Sequence, residues 1–553
     1  MKKDKKIKIS LKTFLIVIIL MILIFAISTY VIILNLNKNE QTPKDISLKN
    51  LSATNNVDNK KNQTENNNLS NTFNVSEFDF SFLKLENQEE NKVYSPLSIK
   101  YALKMLEEGT TGDSKSQITK VIENYNLTKY NSNTNMSLAN ALFIRDSFKN
   151  EVKEDYINTL KTKYDADVIF DSFSTPENVN SWISNKTLKI INNLVEEIDS
   201  DKNFLLVNAL GIDMEWKNKF LEPINWECSY AHENFRWEAP MQVFSNEFGE
   251  NKSQISGMGI VASINNYDII TEIGEENIKK TVGDEFKKWA KNLTETDWEY
   301  DSIFEGNLTD EKIEEKLTQY LEGGKYYGQY DSEGYISELN SNYKNIHCST
   351  DFSLYVDENV KAFSKDLKEY DGTTLQYVGI MPITEDLDSY IKNADESQIN
   401  NIVNNLKDLK LENFKKGVVT KITGYIPKFE FEYDLKLKED LEKLGITDIF
   451  VQGRANLTKI CDDEEVYINE AVHKANIEFT QDGIKAAAAT MFGGGGGGES
   501  FDYFYDVPVE EIDLTFDKPY MFLIRDKETG EIWFTGTVYE PLLWENEPEK
   551  DNM

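Results

Sequence analysis

Histidine is nearly missing from this chain: His232, His347 and His473 are the only three in 553 residues. With so few imidazoles, most nucleophile–base sites and most zinc sites are short of parts. No HExxH helix, no paired Cys-x-x-Cys and no GxSxG elbow is present, which removes the commonest zinc and hydrolase signatures. Cysteine is equally scarce: Cys228, Cys348 and Cys461 form an odd set that is no disulfide framework, although one bridge remains open. His347 beside Cys348 makes a poor chelate because the two are adjacent. His473, in the apolar stretch AVHKANIEF, reads as a buried structural histidine bonded to a nearby Ser or Asn. Positive charge is also in deficit, with 60 Lys and Arg against 95 Asp and Glu and a net charge of −35. That balance excludes nucleic acid as a partner, since phosphate binding needs a basic face. Acidity of this kind keeps an exposed protein soluble. The expectation is a non-enzyme with no metal and no cofactor.

What is present begins with an anchor. The first dozen residues, MKKDKKIKISLK, hold six lysines. Residues 14–34 follow with 21 uncharged positions, roughly 31 Å of helix and enough to cross a bilayer core. Lysines ahead of the span place 1–13 in the cytoplasm and the rest outside. The competing reading is a cleaved signal peptide, with Ala26 and Ser28 near a weak cut site, which would make the protein secreted. Residues 35–72 are rich in Asn, Lys, Thr and Ser and read as a disordered tether. Residues 73–541 read as the folded domain, and 542–553 as an acidic tail.

Within the domain, Ser95 of SPLS is a natural N-cap with proline in the first turn. Helices are expected near 152–164, 176–191, 275–293 and 384–406, and over 437–444, where Gly445 stops the last. Residues 204–214, FLLVNALGIDM, read as a mid-sheet strand. Further strands are expected at 377–382, at 421–431 and from Val466 onward. Helices come first and strands dominate late, so the fold class is α+β. The acidic, Tyr- and Gly-rich segment 245–350 fits this pattern poorly.

Between two strand-like stretches lies QDGIKAAAATMFGGGGGG (481–498). Its side chains are too small for a binding surface, and six consecutive glycines give up too much backbone freedom to hold a fold. It reads as a long cuttable loop strung between core strands.

Five stretches in order resemble the serpin family. They are VYSPLSIKYALKMLEEGTTGDSKSQI (93–118), LVNALGIDMEWKNKF (206–220), IPKFEFEYDLKLKEDLEKLGI (426–446), VYINEAVHKANIEFTQDGIKAAAAT (466–490) and DKPYMFLIRDKETGEIWFTGTVYEP (517–541). The resemblance covers about 73–541 and leaves 245–350 as an insertion. It implies three β-sheets, eight to nine helices and an exposed reactive-centre loop. The implied activity is suicide-substrate inhibition: a protease cuts the loop, is held as an acyl-enzyme, and is carried away as the loop inserts into the main sheet. The implied partner is an extracellular serine protease, or a cysteine protease. By the same resemblance Gly483, Ile484, Ala486, Ala487, Ala488, Ala489 and Thr490 form the hinge. Ser95, Ser98, Asn208 and His473 form the polar shutter where the sheet opens, and Trp216 marks the breach where insertion begins. Counting from Gly483 puts the reactive bond near Gly497–Gly498. The chain departs from the family at Gln481, Ile484 and Lys485, where Glu, Thr or Ser, and Glu are usual. The acidic aromatic stretch ESFDYFYD (499–506) offers Phe501, Tyr503, Phe504 or Tyr505 as other cut positions. The alternative function is a non-inhibitory binding or scaffold protein of the same fold.

Overall fold

This computed structural model describes residues 76–543, apart from 87, 124, 193, 200–201, 218–235, 244–247, 249–254, 323–327, 332–333, 339–351, 469–470, 472, 481–482, 485–500, 502–503 and 507. The expected membrane span, the tether and nearly all of the tail lie outside these residues, as do Cys228 and Cys348; Cys461 is buried and free. No helix among the described residues is long and apolar enough to cross a membrane.

The chain opens with α1 (Glu77–Leu85), β1 (Lys92–Tyr94) and α2 (Pro96–Gly109). Ser95 caps α2, its Oγ accepting from the Ser98 amide at 3.0 Å. Lys100 on α2 is buried between Asp79 of α1 (2.7 Å) and Glu531 (3.2 Å), which ties helix to helix and both to the C-terminal hairpin. Then follow α3 (Gly112–Val121), β2 (Met136–Arg145), α4 (Glu154–Tyr164), β3 (Asp167–Asp171), α5 (Glu177–Lys186), β4 (Phe204–Ile212) and β5 (Met214–Glu215).

The middle of the chain forms two further sheets. Strands β6 (Arg236–Val243) and β7 (Ile255–Asn265) join β14 (Val419–Pro427) and β19 (Val509–Asp513) in the order β19-β14-β7-β6. Thus part of the 245–350 segment is a strand of the main body. The seven-stranded sheet holds the dense core. Its order is β1, β21 (Ile532–Val538), β20 (Tyr520–Asp526), β12 (Thr373–Pro382), β11 (Val360–Tyr370), β10 (Phe352–Val356) and β13 (Lys407–Asp408).

Helices α6 (Ile269–Ile273), α7 (Glu275–Asn292), α8 (Trp298–Ser302) and α9 (Asp310–Glu322) follow β7. Helices α7 and α9, with Phe304 just after α8, share an interior of Phe286, Ala290, Phe304, Ile313 and Leu317 that is a cluster separate from the main core, while Ile269 of α6 packs with Ile278 and Val282 of α7 in another. Later come α10 (Leu387–Asn393), α11 (Glu396–Asn404) and α12 (Leu437–Leu444). The expected helix 384–406 is two, because Asp395 starts a new one with a capping box to Gln398. Gly445 takes φ +105° and ends α12, as a left-handed stop requires. Among the described residues there are thus twelve α-helices, against the expected eight or nine; α6–α9 supply the surplus.

Candidate functional site

Two smaller hydrogen-bonded sheets are joined through the run Phe204 to Glu215. One is β3-β2-β4; the other is β15 (Phe429–Leu435), β16 (His473–Phe479), β17 (Gly483–Ile484) and β5. Because β4 and β5 are interrupted only at Asp213, the two sheets meet at one end, here termed the head. Below the head, no pairing joins β4 to β16 among the described residues. Two cavities mark the opening. The upper, ≈190 Å³, is lined by Leu210, Gly211, Ile212, Ala475, Ile477 and Phe534. The lower, ≈430 Å³, is lined by Ser98, Leu206, Asn208, Leu441, Phe450 and His473. At the head two residues of the expected hinge are paired: Gly483 pairs with Glu215, and Ile484 pairs with Met214 on one side and Phe479 on the other.

Trp216 stands at that head, fully buried. Its Nε1 donates to the Thr480 carbonyl at 2.8 Å, and its ring meets Phe479 edge-on at 5.4 Å and Tyr377 at 6.3 Å. A polar network, buried at Asp366 and Gln376 and reaching the surface at Lys527, supports the neighbouring strands. Gln376 donates to Asp366 at 2.8 Å, Lys527 donates to Asp366, and Arg525 donates twice to Gln376 Oε1 at 2.7 and 3.0 Å. Burial pushes the Arg525 guanidinium down to about 10, which leaves it charged at neutral pH.

Lower down, Ser95, Ser98, Asn208 and His473 come together from three separate stretches of chain. The Ser95 amide donates to His473 Nε2 at 2.9 Å, so the neutral ring carries its proton on Nδ1. Ser98 Oγ donates to Asn208 Oδ1. Asn208 Nδ2 donates to Asn140 Oδ1 at 2.8 Å, and Asn140 Nδ2 to the Tyr164 carbonyl at 2.8 Å. The result is a polar bar across β2, β4, α2 and β16 at the floor of the opening. Desolvation in the lower cavity pushes His473 down to about 4 from the usual 6.5.

A family model described as serpin (serine protease inhibitor) matches residues 74–241 and 343–541. The chain belongs to the serpin family. This serpin is 23% identical to neuroserpin of Mus musculus over 484 residues, covering 84% of the chain and 89% of the relative. It is 24% identical over 480 residues to an uncharacterized serpin-like protein of Methanosarcina acetivorans, covering 83% of each. Among solved structures, the thermophilic serpin tengpin in its native state superposes with a TM-score of 0.52 at 19% identity, over 84% of this chain and 95% of that one. Thyroxine-binding globulin in complex with thyroxine gives 0.51 at 16%, over 84% and 98%. Identities this low carry the fold alone.

In this serpin the expected polar cluster and Trp216 sit where the sheet opens, and Gly483 and Ile484 sit at its head. Ala486 to Ala489, Thr490, Gly497 and Gly498 lie outside the described residues. Sequence reasoning missed Asn140, although a lone amide inside the apolar strand MSLANALFIR needs a buried partner. It also missed the Asp366–Gln376–Arg525–Lys527 network, whose members are spread over 160 residues of chain.

The low pKa of His473 makes a pH prediction. Between pH 6.5 and about 4 the unfolded chain binds a proton that the folded serpin does not. Stability therefore falls as pH drops through that window, by up to about 3 kcal/mol from this group, and is fully present above pH 6.5. Denaturant titrations of the wild type and His473→Gln at pH 4.5 and 7.5 check it. The pH dependence of the variant should be shallower by that amount, and parallel curves would remove His473 as the cause.

Proposed function

We propose that this serpin is a suicide-substrate protease inhibitor whose loop enters the opening between β4 and β16 after it is cut. The observation that carries this reading is the hinge pairing at the head of an otherwise unpaired gap. Continuing the same antiparallel register downward sets residue 486 between Ile477 and Ile212, 488 between Ala475 and Leu210, and 490 between His473 and Asn208. The alanines at 486 and 488 would then lie against the apolar wall of the upper cavity, and Thr490 would reach the polar bar. The new strand would satisfy two facing rows of backbone donors and acceptors. The same register sets Lys485 opposite Glu478 and Asp213. A lysine in place of the family's usual acid thus suits this particular sheet, which supports inhibition over the non-inhibitory alternative.

The reactive bond is proposed within the glycine run, near Gly497–Gly498, and the partner is an extracellular serine or cysteine protease. Display on a membrane through the 14–34 span and the 35–72 tether belongs to the same proposal. Incubation of the full chain with a panel of serine and cysteine proteases tests the function. An SDS-stable complex with at least one protease is expected. Cutting with full turnover by every protease, and no trapped species, would favour the binding or scaffold alternative.

A further inference from the structure

The loop has a second described end. Phe501 packs among aromatic rings of the helical unit. Its ring centroid lies 5.0 Å from Phe286, 5.2 Å from Trp289 and 5.3 Å from Tyr320. Two contacts, with Phe286 and Tyr320, are edge-on, an arrangement aromatic pairs prefer, and the third is tilted. Three residues later the chain forms β18 (Phe504–Asp506), a parallel partner of β8 (Gly328–Asp331), which itself pairs with β9 (Gly334–Glu338). Both contacts are made to the 266–338 stretch, inside the 242–342 region that the family model leaves unmatched.

The place of this contact matters. Phe501 also packs against the small cluster of Ile269, Ile278, Val282 and Val419. Val419 begins β14, and β14 runs from there to Pro427, next to the head; β15 then continues alongside the opening from Phe429 at the head to Leu435 opposite His473. The Phe501 contact is therefore a strand's length from the head, on a sheet none of whose residues lines either cavity of the opening. Filling the opening along β4 takes about 30 Å of strand at ~3.3 Å per residue. An uncut loop must go down and return, about 60 Å. Residues 485–500 reach at most about 60 Å when fully extended, which leaves nothing for the further ~30 Å of β14 between the head and the Phe501 contact. With Phe501 held, the uncut loop is too short.

We propose that α6–α9 and the β8–β9 hairpin form a clasp for the C-terminal arm of the loop, with Phe501 as its pin. The clasp blocks insertion of the uncut loop and confines productive cleavage to residues 485–500. A cut after Phe501 would leave the insertable piece still pinned. The proposal rests on the reading of the loop as an insertable strand, and it excludes Phe501, Tyr503, Phe504 and Tyr505 as reactive positions.

Two variants test it from opposite sides of the contact, Phe501→Ser and Trp289→Ala, each in the full chain. The first readout is chymotrypsin cleavage at 503–505, located by mass spectrometry. The wild type should resist there, and both variants should be cut at least ten-fold faster; equal rates would overturn the clasp whatever the loop does. The second readout is spontaneous conversion of uncut protein, on warming, to a form whose 485–500 segment resists proteases. Both variants should convert at least ten-fold faster. Loss of protection with an unchanged conversion rate would overturn the blocking role. If cut wild type gains no thermal stability, the inhibitor reading fails separately, and the first readout alone decides the clasp.

Discussion

On the proposed mechanism, Ala488→Arg is expected to turn the chain from an inhibitor into a plain substrate. In the continued register residue 488 shares the face of Ile484, whose partner Phe479 is fully buried. It would come to rest between Ala475 and Leu210, both buried and both lining the upper cavity. A guanidinium driven there without a partner costs several kcal/mol. A penalty of about 3 kcal/mol slows a step roughly 100-fold. Insertion then loses to hydrolysis of the acyl-enzyme, and trapped complex should fall by about that factor while cutting proceeds. Ala487→Arg is the matched control. It falls on the opposite face with Lys485, next to Asn476 and Gly211, and should retain most of the trapping. The measurement is the stoichiometry of inhibition of the three proteins against one protease. Equal loss in both variants would sink the register, and no loss in either would sink insertion.

Cutting the loop is expected to raise the melting temperature by about 10 °C. An inserted strand of about a dozen residues gains on the order of ten net hydrogen bonds worth about 1 kcal/mol each. A fold of roughly 470 residues has an unfolding entropy of about 1 kcal/mol per degree. Calorimetry before and after limited cleavage within 485–500 measures the rise. A cut chain that melts at the original temperature has an opening that the loop does not fill.

Much of this fold was legible because its signals are local. Ser95 followed by Pro96 announces α2, the spacing of Ile278, Val282 and Phe286 announces α7, and Gly445 closes α12. Helix α9 carried a usable signal in Ile313, Leu317 and Tyr320, obscured by the acidic residues around it. The split of 384–406 was written in Asp395 and Gln398. The break of the expected 421–431 strand at Lys428 was not. There the amide leaves its ladder to donate to Ser256, a residue 172 positions earlier. The polar bar was legible through the resemblance to serpins, but its extension to Asn140 depends on β2 lying beside β4, a pairing between distant segments. The Phe501 contact had no local signal. Phe286 and Trp289 read as the buried face of a helix, and nothing in the loop names their ring as its partner.

The two-residue pairing at Gly483 and Ile484 has a kinetic consequence. Strand formation is limited by its nucleus, because the first contacts order the chain before many bonds reward it. Here that nucleus exists before any protease arrives. On the proposed mechanism a severed loop would not search for its groove; it would zip from a fixed end, one pair of bonds at a time. The race between zipping and escape of the enzyme would therefore start with one runner already off the line.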